Sequence, residues 1–263
     1  MNKTEFYNEL YTRYGFVTRA RNCYLYTKKG VRITDCYQEG GRAILGWEGG
    51  NAFTHFKNVL CRGQVGSFIC EDSPRIEKAV SSLLVSERKV FFFNSKMDAV
   101  KAGILISKDS TTIYKPWALD NNSASSVDCV VIQPPLPWTD TIYILAVKSE
   151  ALNSDISKLL PNQTSIPFAL NTAITRAVYN LIAALQEREE KDWFIYDPVL
   201  TKYFERKGPY LRPKMPEQVY DKFILHCLDL GIAFNPNYNE CSIIPFGADR
   251  GTFTGLKNAP FAF

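Results

Sequence analysis

The sequence predicts an α/β protein that ends in a small α+β subdomain, and three observations carry that reading. Three continuous apolar runs of strand length, "KVFFF" (89–93), "DCVVI" (128–132) and "TIYILAV" (141–147), have the texture of central strands buried on both faces of a sheet. Segments with apolar residues at helical spacing alternate with those runs. From about Trp193 the texture changes, with Pro198, Pro209, Pro213 and Pro216 breaking the chain into short pieces. Three segments follow from this: 1–50, an N-terminal segment with a hairpin; 51–190, the large α/β domain; and 191–263, the small subdomain.

Taken in order, "CYLYT" (23–27) and "VRITDCY" (31–37) flank Lys28-Lys29-Gly30 and read as a hairpin turning at Gly30. The glycine-rich "EGGRAILGWEGG" (39–50) is too irregular for an element. It leads into a helix from about Asn51 to Arg62, whose Ala52, Phe53, Phe56, Val59 and Leu60 form one apolar face before Gly63 stops it. Ser73-Pro74 supplies an N-cap and a first-turn proline for a second helix, with Ile76, Val80, Leu83 and Leu84 on one side. The stretch "DNNSASSVD" (120–128) reads as a loop insertion between two strands. A long helix from Phe168 to about Glu190 is predicted from Ala169, Ala173, Ile174, Ala177, Val178, Leu181 and Ile182. Beyond it, a helix from Pro216 to Leu230 is stopped by Gly231, and "IAF" and "CSII" are strand-like.

A chain of 263 residues with 46% hydrophobic content has enough apolar side chain for a full core. Its 31 basic and 27 acidic residues are dispersed, without the basic run that a nucleic-acid surface needs. The seven cysteines lie mostly inside apolar stretches and form no C-x-x-C pair, the pattern of reduced thiols in a cytoplasmic protein. His55 and His226, both read as helix residues, stand near no cysteine pair or carboxylate cluster, so no metal site is expected. "TIYILAV" is far too short to span a bilayer, and no membrane partner is expected. The nucleophile-elbow G-x-S-x-G, the Walker loop and G-x-G-x-x-G are all missing, which removes those hydrolase, nucleotide and dinucleotide classes. The acidic run at Glu187, Glu189 and Glu190 suits a solvated helix face rather than a glycosidase pair.

Several stretches, in order, resemble class III aminotransferases and glutamate semialdehyde aminomutases. In "CYLYTKKGVRITDCYQEGGRAILGW", Tyr24, Tyr26, Gly30, Asp35, Leu45 and Gly46 fit that family's N-terminal hairpin and glycine-rich stretch, while Thr27 and Trp47 replace its usual Asp and His. "KVFFFNSKMDAVKAGI" is similar to the family's strand, cofactor-phosphate turn and helix, with Phe91, Asn94, Ser95, Ala99 and Ala102 in register and Asp98 in place of Glu. "DCVVIQPPLPW" resembles the strand ending in Glu-Pro, with Gln133 for the Glu. Pro167 and Ala169 align with the Thr-containing segment that opens a long helix, and residues from Pro216 onward resemble the closing small domain.

The resemblance implies a reduced fold type I pyridoxal phosphate transferase-like sandwich, a homodimer, and a phosphate cup at Ser95, Lys96, Met97 and Asp98 with Thr164 added from a later loop. It also shows what is changed. Such a cup relies on small residues that let backbone N–H groups approach the phosphate, but here Lys96 replaces Gly and Met97 replaces the hydroxyl residue. Met97 is expected to fill the place of the ligand. The family's chemistry needs an Asp on the pyridine nitrogen and a Schiff-base Lys, and both come between the Glu-Pro strand and the Thr loop. About thirty residues separate Gln133 from Thr164, too few for the elements that carry them. The expectation is therefore a noncatalytic binding or scaffolding protein with only a remnant cup and no cofactor. The alternative is a pyridoxal phosphate-dependent aminotransferase or aminomutase using Lys148, which follows the "TIYILAV" strand. An unrelated α/β small-molecule binder is the third reading.

Overall fold

In this computed structural model, residues 1–68, 70, 75–118, 124–138, 141–152 and 160–263 are described. The chain forms two compact units, one from Met1–Glu48 with Arg188–Phe263 and the other from Gly49–Glu187.

The first unit begins with helix α1 (Lys3–Tyr14), which the sequence reading did not foresee. Asn2 caps it by accepting from Glu5 N while Glu5 accepts from Asn2 N, both at 2.9 Å. Phe6 and Leu10, four residues apart, are its buried stripe. Strand β1 (Val17–Arg21) pairs antiparallel with β2 (Tyr24–Thr27), and β2 pairs with β3 (Arg32–Asp35) around Gly30 at φ 78°, the expected hairpin. Beyond β3 the chain makes tight turns, with Gly40, Gly46 and Glu39 at positive φ, and its pivot is Asp35. That carboxylate is 2% exposed and accepts from Tyr37 N at 3.0 Å, Gln38 N at 2.8 Å and Trp47 Nε1 at 2.7 Å.

Burial pushes the Asp35 carboxyl up to about 6, against the three hydrogen bonds that favour its charge. The folded protein thus holds this proton more tightly than the unfolded chain, whose carboxyl titrates near 3.8. The group's contribution to stability is full below pH 3.8 and is lost as the pH rises to about 6. Asp35→Asn is expected to shrink the difference in unfolding free energy between pH 4 and pH 7; a variant with the wild-type difference would refute this assignment.

The second unit opens with α2 (Ala52–Cys61), ended by Gly63 at φ 70°. Only Ala52 and Val59 of its predicted apolar face are buried, while Leu60 is exposed and the Phe56 ring meets Trp138 at 5.5 Å. Helix α3 (Arg75–Leu84) buries Ile76, Val80, Leu83 and Leu84 as expected; the predicted cap at Ser73-Pro74 lies outside the described residues, as do residues 120–123 of the predicted loop insertion. Strand β4 (Arg88–Phe93), helix α4 (Lys96–Ile106), and strands β5 (Thr111–Ile113), β6 (Cys129–Ile132), β7 (Tyr143–Lys148) and β8 (Gln163–Thr164) follow, then helix α5 (Phe168–Glu187).

The sheet order is β5-β6-β7-β4-β8. Strand β7 is antiparallel to both β4 and β6, and β5 is parallel to β6, so β4, β5 and β6 run one way while β7 and β8 run the other. The strands β6 and β7 are buried on both faces, as their unbroken apolar text predicts: Cys129, Val131, Leu145 and Val147 pack under α4, and Val130, Ile132, Ile144 and Ala146 are equally buried on the opposite face. "KVFFF" differs, because Val90, Phe91 and Phe92 are only half-buried where β4 has just the two-residue β8 as its outer neighbour. Gly103 lets α4 approach the sheet, since a Cβ there would lie 2.8 Å from Thr111 Cγ2 and 3.3 Å from Leu145 Cδ1. Helix α5 packs on α2 and α3. By length and composition alone it suits a membrane span, but half of that span is buried in this core.

The first unit resumes after two helical turns, Lys191–Phe194 and Asp197–Leu200, with the hairpin β9 (Phe204–Lys207) and β10 (Tyr210–Pro213), helix α6 (Glu217–Asp229), strands β11 (Ile232–Ala233) and β12 (Ser242–Ile243), and the short α7 (Thr254–Asn258). The predicted Pro216 start and Gly231 stop frame α6, with Gly231 at φ 73°. Segments read from sequence as separate, 1–50 and 191–263, share one sheet and one core here: β11 pairs in parallel with β3, Ile232 opposite Thr34, and Tyr14 Oη donates to Leu228 O at 2.5 Å. Sequence gives no sign of that pairing, because β11 is two residues long and its partner lies some two hundred residues away.

Candidate functional site

The site implied by the resemblance lies where β4 gives way to α4. Ser95, extended at ψ 134°, is the N-cap of α4, and its Oγ accepts from Asp98 N at 3.4 Å. Asp98 occupies the first turn, where its carboxylate meets the positive end of the helix. These two residues supply to the helix terminus what a bound anion supplies elsewhere. Lys96 is exposed.

Met97, expected to fill the place of the ligand, projects into solvent. It is 61% exposed, because the buried stripe of α4 is Ala99, Ala102 and Gly103, and a residue two positions before Ala99 is rotated about 200° from it. Thr164 does come to this end of the sheet: in β8 it stands opposite Phe92, and its Oγ1 donates to Ser165 O at 3.4 Å. The fold thus gathers all five residues expected of a remnant cup, Ser95, Lys96, Met97, Asp98 and Thr164, near the carboxyl end of β4.

Lys148 lies elsewhere. It pairs with Arg88 at the beginning of β4, five residues from Phe93, about 17 Å along the strand at about 3.3 Å per residue. Its Nζ donates to Ser126 O at 2.6 Å and sits 4.0 Å from Asp128 Oδ1. Because β7 runs against β4, β5 and β6, its last residue falls at the amino ends of those three strands. Ligands of open α/β sheets bind at the carboxyl ends.

That amino-end edge holds a residue the sequence reading passed over. Arg88 is 1% exposed, with Nε donating to Ser86 Oγ at 2.8 Å, Nη1 to Asp128 O at 2.8 Å, and Nη2 to Ala124 O at 3.1 Å and Ser125 O at 3.3 Å. Burial lowers its pKa from the ordinary guanidinium value. In sequence it sits in "ERK", which looks like solvated charge ahead of the strand.

A second feature was also not foreseen. Along the α2–α5 crossing runs a cleft of two adjoining lobes, about 200 and about 300 Å³, that share His55, Arg75, Phe168 and Thr172. One lobe adds Asn171, Arg176 and Tyr179, the other Asn58, Arg62 and Gln64. The helical spacing was visible in sequence, but it was read only for its apolar face.

No family model matches the chain. An uncharacterised protein of Treponema pallidum (strain Nichols) is 24% identical over 282 aligned positions, covering 90% of this chain and 91% of that one, and an uncharacterised protein of Borreliella burgdorferi (strain ATCC 35210) is 21% identical over 253, covering 94% and 90%. Among solved structures, acetylornithine aminotransferase from Elizabethkingia anophelis superposes with TM-score 0.65 at 12% identity, covering 98% of each chain. An omega-transaminase from Sphaerobacter thermophilus gives 0.66 at 11%, covering 94% of this chain and 91% of its own. Taurine:2-oxoglutarate aminotransferase from Bifidobacterium kashiwanohense, solved with PLP and glutamate, gives 0.64 at 12%, covering 98% and 96%. The fold is that of the class III aminotransferases, fold type I.

Proposed function

We propose that this protein is a cytoplasmic, noncatalytic aminotransferase-like protein with a binding or scaffolding role, a shortened relative of the enzymes whose fold it has. The observation that carries this reading is the register of β7 on β4. It sets Lys148 at the opposite end of the strand from Ser95–Asp98, with its ammonium held by the Ser126 carbonyl. Pyridoxal phosphate, when bound, supplies an aldehyde that a lysine must hold while the phosphate rests in the cup. The residues at the turn do not fit that group. Lys96 stands where such a cup has the small Gly, Met97 brings no hydroxyl where the cup has one, and Ser95 Oγ already accepts from Asp98 N as the helix cap. Ser95 therefore serves here as a helix cap.

The reading extends to a homodimer, for which the exposed Leu60, Val65 and Phe68 on and just after α2 offer apolar contact surface. Incubation with pyridoxal phosphate is expected to leave the protein without a visible absorption band and, after borohydride, without a pyridoxyl adduct by mass spectrometry. An adduct on Lys148 that disappears in Lys148→Ala would overturn the noncatalytic reading. Sedimentation of the same sample tests the dimer, and a monomer at micromolar concentration would remove that part.

A further inference from the structure

We propose that the cleft between α2 and α5 is a binding site for a small hydroxylated organic anion, a phosphate monoester or a polycarboxylate. Three guanidinium groups, Arg62, Arg75 and Arg176, line it together with His55, and no carboxylate residue does among those described. Arg62 and Arg75 form no ion pair among the described residues, and Arg176 is held by a neutral partner, its Nε donating to Asn51 Oδ1 at 2.8 Å. Like charges gathered in one cleft repel one another, and Arg75 also stands in the first turn of α3, the end where a helix disfavours a cation. Arg62, Arg75 and His55 are exposed, so water screens much of this repulsion, and their positive field is left open to an anion.

Guanidinium groups engage phosphate and carboxylate oxygens in pairs, so two or three of them around one space select a ligand with several anionic oxygens. A second observation narrows the ligand. Asn171 lines the same cleft, and its Oδ1 is buried with no hydrogen-bond partner among the described residues. A buried acceptor left unmet costs free energy, and an anionic oxygen cannot meet it. The ligand must therefore bring an O–H or N–H beside its charge. The hydroxyls of Thr172 and Thr175 already donate to Phe168 O and Asn171 O, so they do not meet that acceptor. Phe168 and Tyr179 leave an apolar wall for the carbon skeleton. This assignment concerns α2, α5 and the start of α3 and stands whether or not the turn at Ser95 binds a cofactor.

The test is isothermal titration of the full chain with glycerol 3-phosphate, citrate and sulfate at matched ionic strength, sulfate being an anion with no O–H to offer. Saturable binding of glycerol 3-phosphate or citrate is expected, at least tenfold tighter than sulfate and at least tenfold weakened in Arg75→Gln and in Arg176→Gln. Lys101→Gln, on α4 and outside the cleft, should bind as the wild type does. Preference for the first compound identifies a phosphate ligand, and for the second a polycarboxylate. Asn171→Ala is expected to erase the advantage over sulfate. Without ligand, Arg75→Gln should melt cooperatively at the wild-type temperature, so that its lost binding is not lost folding. Absence of saturable binding, or binding that the two arginine variants leave unchanged, overturns the proposal.

Discussion

Arg88→Met is expected to be among the most damaging single changes in the second unit, costing about 3 kcal/mol or more. Methionine keeps much of the side chain's length but carries no donor. The carbonyls of Ala124, Ser125 and Asp128, and the Ser86 hydroxyl, would each lose their guanidinium partner inside the protein. A buried acceptor deprived of its partner costs about 1–3 kcal/mol, and hydrogen bonds from a charged donor lie at the upper end. Removing the buried charge returns part of this, so the expected loss is below the simple sum. Urea unfolding read through amide exchange in β4, β6 and β7 measures it. A loss under about 1 kcal/mol would mean that water replaces the guanidinium at little cost.

Phe223→Ala should destabilise the first unit by about 4 kcal/mol, the range for deleting a fully buried phenyl ring. Phe223 is 0% exposed in α6, and its ring lies 5.1 Å from that of Tyr203, 5.6 Å from Phe204, 5.9 Å from Phe234 and 5.5 Å from Phe261. Those partners come from β9 and the residue before it, from the residue after β11 and from the C-terminal tail, so the cavity opens where several segments meet and no single one can shift to fill it. Amide exchange in α6 under urea gives the number. If exchange there accelerates by less than tenfold, Phe223 is not the centre of this core.

How much of this was legible depended on range. The strands β6 and β7 announced themselves because a strand buried on both faces needs apolar residues at every position, and "CVVI" and "YILAV" have them. Helix α6 was bracketed by Pro216 and Gly231, since each acts within one turn of itself. Helix α1 was missed because its buried stripe is only Phe6 and Leu10 among charged neighbours. The hairpin β9–β10 was missed because "FERKGPYLRP" alternates too weakly to mark strands around Gly208.

For the site, the sequence singled out Ser95, Lys96, Met97, Asp98 and Thr164, which the structure brings to one end of β4, and predicted the helix that Ser95 caps, but it did not foresee how exposed Met97 is. Burial there depends on which face of α4 meets the sheet, and that is decided by what packs beneath Ala99, Ala102 and Gly103. It could not say which end of β4 Lys148 faces either, because strand direction is a property of the pairing and not of the strand's own text.

The amino-acid order by itself determined the class of the fold, the two doubly buried strands and the capped helix after β4, all of which rest on interactions within a few residues. Only the tertiary structure decided that β7 runs against its neighbours, that Arg88 lies inside, and that Arg62, Arg75 and Arg176 line one cleft. Those facts need contacts between residues far apart in the chain, where the entropy of closing long loops is repaid only by the assembled core.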